Sequence, residues 1–236
     1  MPPKGVSDAG RSKKRIRTAA IFCLTVACVA GRRPTPFAAD IAPQGHVLED
    51  FEGYALHTFP PKWRVHNDEA RKIYRIETEN DNRFLHAHAE KQSVLIGLEH
   101  IFDPSKRRRL HWRWRIHARP PAVDERMPES HDAAAQVYVI FDNQYLPRVI
   151  KYIWSATLPI GTRFTHPLYL RGRVIVLRSG SSKVGEWFRE TASFYEDYKN
   201  LFGEEPGKGQ GIGILSSSDL TKSLAIADYD DFILLP

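Results

Sequence analysis

The chain has 236 residues, and its 34 Lys and Arg side chains outnumber 28 Asp and Glu side chains, for a formal net charge of +6. Eight of the bases and one of the acids lie in residues 1–39, which leaves 26 bases and 27 acids from Asp40 onwards. The body of the chain is therefore near neutral, and the charge argument for nucleic acid binding disappears. A content of 26% charged and 11% aromatic residues excludes a disordered or collagen-like chain.

Residues 1–39 are predicted to be a signal peptide with a short leader to the mature chain. Arg11–Arg17 is densely basic, and Thr18–Gly31 follows with 14 uncharged residues. A basic segment before an apolar run of this length is typical of a secretory signal, and the run is short for a permanent span of ~30 Å of hydrocarbon. Cleavage between Gly31 and Asp40 predicts a periplasmic or secreted protein with no membrane span after processing. An uncleaved anchor helix is the alternative.

Both cysteines, Cys23 and Cys28, lie inside this predicted signal. The mature chain then has no cysteine, which excludes disulfide bonds, thiolate zinc sites and cysteine nucleophiles in it. Thr25–Cys28 is weakly similar to a bacterial lipoprotein box, in which Leu is usual at the position of Thr25. Lipidation is kept as a further alternative.

Residues 40–236 are predicted to form a single domain built mainly of short strands. Lys72–Thr78 and Arg83–Ala89 flank Asn80-Asp81-Asn82, and a polar turn between two such runs is typical of a β-hairpin. Further alternating or β-branched runs follow at Ser93–Phe102, Leu110–His117, Ala133–Phe141, Val149–Ala156, Arg173–Arg178, Gly211–Leu215 and Ala225–Leu235.

One helix is predicted, at about Ala192–Phe202, in the C-terminal third. Its apolar residues keep helical spacing, and Gly203 supplies a C-terminal stop. About nine short strands with one short helix indicate an all-β protein, an antiparallel β-sandwich or jelly roll, rather than a βαβ fold.

Leu110–His117 (LHWRWRIH) is the most distinctive predicted strand. Its period of two places Trp112 and Trp114 on one face and His111, Arg113 and Arg115 on the other. The basic row has two interpretations. It is either a structural strand face that is solvated or neutralised by acids, or a surface that binds an acidic sugar or a phosphate. Two acids bracket the next strand and are candidates both as neutralising partners and as ligand-binding residues, Asp132 and Asp142.

A resemblance runs over most of Phe51–Leu235. The motifs that carry it are Trp63, Trp112–Arg115, Asp132–Ala135 with Val137–Val139, Tyr152-x-Trp154-Ser155, Gly185-x-Trp187, Glu196–Tyr198 with Phe202-Gly203, Gly211–Ile214, Asp219-x-Thr221 and Tyr229–Asp231. In this order they resemble a bacterial family of exported proteins, domain of unknown function 3047. The resemblance implies location and fold class and brings no activity with it. Gln136 departs from the Arg expected there. Trp154 is added to the predicted ligand-binding residues.

No catalytic residues are predicted, because the nucleophile elbow, phosphate loop, zinc-protease and dinucleotide motifs are all absent from the sequence. A glycosidase needs two carboxyl groups across a cleft. Glu77-x-Glu79 runs into a turn, and Glu196-Asp197 lies on the predicted helix. His86-x-His88 would supply at most half of a zinc site. An enzyme is therefore the second choice.

The two ends of the domain carry acids that are predicted to meet. Residues 49–52 and 228–231 each hold three carboxylates, and the first and last strands of many jelly rolls lie side by side. Glu52, Asp228 and Asp230 are the candidate ligands of a structural calcium ion, because calcium accepts several carboxylate oxygens. Neutralisation by bases is the alternative, and otherwise no cofactor is predicted.

These patterns together predict an exported, non-catalytic β-sandwich protein that binds a carbohydrate or another cell-envelope ligand. The alternative is a carboxylate-dependent glycoside hydrolase. Neither hypothesis calls for nucleic acid.

Overall fold

The structure is a computed structural model, and it describes residues 45–65, 67–142 and 145–236. The predicted signal peptide, both cysteines and the predicted cleavage region lie outside the described residues. Within them, two β-sheets pack face to face around one main hydrophobic core. The predicted fold class, a mainly β sandwich, is confirmed.

Sheet A has six strands. Five follow the order β11–β6–β13–β4–β3, and β1 also pairs with β13. Their bounds are β1 His46–Glu49, β3 Tyr74–Glu79, β4 Asn82–Glu90, β6 Arg109–Ala118, β11 Phe188–Ala192 and β13 Leu224–Leu235. The pairing of β1 with β13 is antiparallel, so the expectation that the first and last strands lie side by side is confirmed.

Sheet B has seven strands in the order β2–β5–β12–β7–β8–β10–β9. Their bounds are β2 Arg64–Val65, β5 Ile96–Phe102, β7 Ala135–Phe141, β8 Arg148–Ser155, β9 Arg163–Thr165, β10 Gly172–Ser179 and β12 Gly209–Leu215. Among the described strands, β8 and β10 form the one parallel pair, and every other pair is antiparallel. A parallel pair needs a crossover connection, which here carries the short strand β9.

Aromatic side chains of both sheets meet in the core. Trp112 and Trp114 of β6 are fully buried, as their place on the apolar face of the strand predicts. Trp112 lies 5.7 Å from Tyr152, and Trp114 lies 6.1 Å from Trp154, between ring centroids. Tyr152 and Trp154 belong to β8 of sheet B, so these pairs hold the two sheets together across the core.

Two helices are described instead of the predicted one. α1 (Ala70–Ile73) takes the first residues of the predicted strand Lys72–Thr78, because a single helical turn buries Ala70 and Ile73 before the chain enters β3. α2 (Phe194–Phe202) ends at Gly203, which has a left-handed backbone with φ of 77°. Glycine favours that conformation, so the predicted helix stop is confirmed.

Three short edge strands, β2, β9 and β11, are not predicted from the sequence. β11 takes up Ala192, which the predicted helix had included, because pairing with β6 extends the chain up to that residue. None of the helices in the described residues is long and apolar enough to span a membrane.

Candidate functional site

The predicted basic row lies on the outer face of sheet A. The register pairs Arg113 with Asp230 and Arg115 with Asp228 between β6 and β13, and Asp228 faces His86 on β4. Because successive residues of a strand alternate between faces, these side chains point away from the buried tryptophans. Trp187, just before β11, and Phe84 of β4 complete the surface. We call this surface the arginine–tryptophan face.

Asp228 is the most heavily bonded carboxylate of this face. It is 1% exposed and accepts hydrogen bonds from His86 Nδ1 at 2.7 Å, His117 Nε2 at 2.7 Å and Arg115 Nε at 2.6 Å. Burial raises the pKa of this carboxyl, but the hydrogen bonds from His117, His86 and Arg115 outweigh burial and hold the pKa of Asp228 well below its usual range. Asp228 is therefore a permanent anion with no free acceptor lone pair facing solvent.

Arg113 bridges two neighbouring carboxylates. Its Nη2 lies 2.5 Å from Asp230 Oδ2, and its Nε lies 2.9 Å from Asp231 Oδ2. Asn82 Nδ2 also donates to Asp230, at 2.8 Å. Burial, followed by the charge of Asp231, nevertheless raises the pKa of Asp230 to about 7. One guanidinium shared between two acids does not fully compensate the burial of Asp230.

Trp187 covers both arginines. The centre of its ring lies 4.8 Å from the Arg113 guanidinium carbon and 4.5 Å from that of Arg115. Phe84 meets the Trp187 ring edge-on, with centroids 5.5 Å apart. A guanidinium over an aromatic face is attracted by the ring quadrupole, so the indole is held in place from one side while it stays partly exposed.

The arginines of this face are already neutralised by carboxylates of the same sheet. Arg115 also binds Glu79, with Nη1 to Oε2 at 2.8 Å. The guanidinium forks that were predicted to grip an acidic ligand are therefore occupied by Asp228, Asp230, Asp231 and Glu79. Such a face suits a neutral polar ligand better than an anion.

Two predicted neutralising partners lie elsewhere. Asp132 and Asp142 flank β7, which belongs to sheet B, whereas β6 has β11 and β13 as neighbours. Asp132 accepts hydrogen bonds from Thr221 N at 2.8 Å and Oγ1 at 2.7 Å. Asp142 Oδ2 lies 3.3 Å from Arg171. The expectation that these acids neutralise the β6 arginines is wrong, because strand order in sequence is not strand order in the sheet.

Two other predicted site residues are buried. His111 lies on the same side of β6 as Arg113, but it is 7% exposed and its Nδ1 lies 2.9 Å from Thr191 Oγ1 on the edge strand β11. Trp154 is 3% exposed in the core, with its indole nitrogen donating to Gly180 O at 3.0 Å. Neither side chain reaches the exposed part of the arginine–tryptophan face.

The acids proposed as calcium ligands are held by protein donors. Glu52 accepts from Arg83 N at 2.9 Å, and Asp228 and Asp230 bind the bases described above. In the part of the chain that the structure describes, no three His, Cys, Asp or Glu side chains are arranged to hold a metal ion. The geometry therefore gives the calcium hypothesis no support, and the alternative, neutralisation by bases, accounts for Asp228 and Asp230.

Two residues outside the predicted site, Trp187 and Lys151, also carry signals in the sequence. Trp187 stands in the Gly185-x-Trp187 motif of the family resemblance. Lys151 interrupts the apolar run of β8, and it is 3% exposed. A lone lysine inside a strand that is otherwise buried is a signal that sequence reasoning can find.

A protein family matches most of the chain. The sequence pattern of the family described as "Protein of unknown function (DUF3047)" matches residues 61–233, which confirms the resemblance stated from the motifs. No curated protein matches the sequence.

The chain shows a distant structural likeness to two solved structures. One is TmCBM61 in complex with beta-1,4-galactotriose, at 12% sequence identity and a TM-score of 0.37, covering 76% of this chain and 90% of that chain. The other is the family 11 xylanase from Neocallimastix patriciarum, at 12% identity and a TM-score of 0.32, covering 74% of this chain and 95% of that chain. Likenesses of this size carry no argument about ligand or activity, and the β-sandwich assignment rests on the two sheets themselves.

Proposed function

The chain belongs to the DUF3047 family, and we propose that it is an exported, non-catalytic β-sandwich protein that binds a neutral carbohydrate of the cell envelope through the arginine–tryptophan face. Export rests on the basic and apolar runs of residues 11–31. The single observation that carries the ligand class is the partly exposed indole of Trp187, held over two guanidiniums that are already paired with carboxylates.

An aromatic ring is suited to the apolar face of a sugar. The ring carries negative charge on its faces and positive charge on its edge, so it attracts the weakly positive C–H groups of a pyranose. Trp187 is fixed by Arg113, Arg115 and Phe84, so that binding costs little side-chain entropy. The exposed side of the indole is therefore ready for stacking before a ligand arrives.

Polar groups around the indole are suited to hydroxyl groups. Glu79 is 48% exposed and Asp231 is 36% exposed at the side chain, so both retain acceptor capacity towards solvent. His117, 36% exposed, adds a ring nitrogen at the edge of the same sheet. Four carboxylates outnumber the two arginines, so the face has no free cation for an anionic ligand. Its remaining donors and acceptors favour a neutral sugar, whose hydroxyl groups both donate and accept.

The test is binding to an array of neutral envelope glycans. Trp187→Ala should abolish binding, whereas Trp187→Phe should keep part of it because a smaller aromatic face remains. Tyr145→Ala is the matched control, since Tyr145 is 87% exposed in the loop between β7 and β8 and this variant should bind as the wild type does. Equal binding by the wild type and Trp187→Ala would contradict the proposal.

A second candidate, glycoside hydrolysis, is favoured by one observation. Asp228 and Asp230 stand two residues apart on one strand face, about 7 Å along the strand, and their pKa values are displaced in opposite directions. An ionised and a protonated carboxyl at that spacing fit a glycosidase pair. Against it, both side chains are 1% exposed and bound to arginines. Release of reducing sugar that is lost in Asp230→Asn would establish this candidate over the binding protein.

A further inference from the structure

A separate cavity of about 170 Å³ lies on the outer face of sheet B. Its lining includes Lys151 of β8, Tyr138 of β7 and four residues of the covering segments, His131, Asp132, His166 and Asp219. The rings of His131 and His166 meet edge-on at 5.3 Å. We call this cavity the lysine pocket. It lies on the other sheet from the arginine–tryptophan face and shares no residue with it.

Lys151 is a buried cation without a bonded partner. It is 3% exposed, and within the described ranges its ammonium forms no hydrogen bond and no ion pair. Its Nζ lies 5.7 Å from the centre of the Tyr138 ring. An ammonium has three donors and no acceptor, and a buried one is costly unless it is paired.

The acids near Lys151 are bonded to other groups. Asp132 is held by Thr221 through both its backbone nitrogen and its hydroxyl. Glu125 is 1% exposed, and its Oε1 accepts from Ser155 Oγ at 2.8 Å and Ala156 N at 2.5 Å, whereas its buried Oε2 has no hydrogen-bond partner among the described residues. They attract Lys151 through space, but neither carboxylate contacts its ammonium, so the cavity side of Nζ stays open.

The lining of the pocket holds one cation, Lys151, together with two carboxyl groups, Asp132 and Asp219. Burial lowers the pKa of Lys151 to about 8, against the attraction of Asp132 and Glu125, so the amine stays mostly protonated at pH 7. Burial also lowers the pKa of His131, and that of His166 to about 3. Both imidazoles are then neutral hydrogen-bonding groups that cannot neutralise a second negative charge.

Asp219 limits how much negative charge the pocket accepts. Burial and then the charge of Asp132 raise the pKa of Asp219, and both carboxyl groups line the cavity. A ligand with two negative charges would face Asp132 with only Lys151 to offset it. A single carboxylate matches the one ammonium.

We propose that the lysine pocket binds a carboxylate, a monoanion that pairs with Lys151 while neutral groups on the ligand contact the imidazoles of His131 and His166. The cavity volume lies below the usual range of about 300–1,000 Å³ for drug-sized ligands, so the ligand is one small molecule or one residue of a longer chain. The site lies outside the surface of the proposed function and does not depend on it.

The competing interpretation makes Lys151 only the counter-charge of Asp132 and Glu125. In that case the cavity has no ligand, and an added carboxylate would not bind. The two interpretations differ in whether a carboxylate stabilises the protein and whether Lys151 is needed for that effect.

Thermal unfolding with added galacturonate, acetate, galactose and phosphate separates these outcomes. Galacturonate and acetate should raise the melting temperature, because they bind the folded state, and galactose and phosphate should not. Lys151→Met should weaken galacturonate binding about tenfold or more, as expected for loss of a charged hydrogen bond. Lys106→Met, at a lysine 81% exposed, is the matched control and should bind like the wild type.

A measurement on the wild type keeps the proposal testable if Lys151→Met does not fold. Amine acylation at pH 8, followed by mass spectrometry of each lysine, should show Lys151 protected by galacturonate and not by galactose. Stabilisation by acetate but not by galacturonate would identify a pocket for small carboxylates only. No stabilisation by any carboxylate, equal stabilisation in Lys151→Met, or unchanged acylation of Lys151 would overturn the site.

Discussion

The two outer faces of the sandwich differ in whether their buried basic side chains contact carboxylates. On sheet A, Arg113 and Arg115 bind carboxylates of β13 directly, and Asp228 alone accepts from three bases. On sheet B, Lys151 is more deeply buried than Arg113 and has no bonded partner in the described part of the chain. The charged side chains on sheet A are thus paired with one another, whereas Lys151 on sheet B has no directly bonded carboxylate among the described residues.

This difference separates structural charge from charge available to a ligand. A buried cation that already contacts carboxylates attracts an incoming anion only weakly, and removing one partner of such a pair leaves the other uncompensated. A buried cation beside a cavity already carries the desolvation cost and regains free energy when an anion arrives. A row of many basic residues is therefore a poorer indicator of an anion-binding site than a single basic residue that has no bonded carboxylate.

The largest expected effect of a single substitution is on sheet A. Asp228→Ala leaves Arg115, His86 and His117 without their shared acceptor. Breaking one side of a buried ion pair typically costs about 3–5 kcal/mol, so the free energy of unfolding should fall by that order. Urea denaturation at pH 7 measures it. A loss below about 1 kcal/mol would show that the paired face contributes little to stability.

Asp230 should give a smaller, pH-dependent effect. Its raised pKa of about 7 means that the folded state holds a proton between about pH 4 and 7 that the unfolded state has released. Stability from this group is therefore lost as the pH rises through that window. Between pH 5 and pH 8 the free energy of unfolding of the wild type should therefore fall by on the order of 2 kcal/mol relative to that of Asp230→Asn, which lacks this titrating group. Parallel stability curves for the two proteins would contradict the raised pKa.

Lys151→Met should have the smallest effect on stability, within about 1 kcal/mol of the wild type. An apolar side chain of similar length removes the desolvation cost of a buried ammonium, and that gain offsets the lost attraction to Asp132 and Glu125. The same urea denaturation that measures Asp228→Ala checks this value. A loss as large as that of Asp228→Ala would mean that Lys151 is a structural counter-charge and that the two faces do not differ.

Alternation along single strands was predictable from the sequence. The period of two in residues 110–117 assigned Trp112 and Trp114 to the core and the arginines to the outside, and both tryptophans are fully buried. The partners of the arginines were not predictable in the same way. Asp132 stands closer in sequence to Arg115 than Asp228 does, but β6 pairs with β13, and only the sheet topology reveals that.

The lysine pocket was not predictable from the sequence, because it depends on how distant segments pack together. Lys151 was visible as a base inside an apolar strand, but its burial depends on the segments of His131 and His166 covering the outer face of sheet B. The crossover between β8 and β10 brings His166 there, and the strand pattern contains no sign of that parallel pair. The unpredicted strands β2, β9 and β11 are likewise short edge strands, which form through pairing with their neighbours rather than through their own propensity.

The most direct test of the difference between the two faces is the pKa of Lys151, measured by NMR on protein with isotope-labelled lysine, with and without saturating galacturonate. A bound carboxylate favours the charged ammonium, so the pKa of Lys151 should rise from about 8 towards its ordinary value, with no change in the signals of Trp187. An unchanged pKa of Lys151 at saturation, or a response confined to Trp187, would contradict the assignment of the unpaired lysine as the anion site.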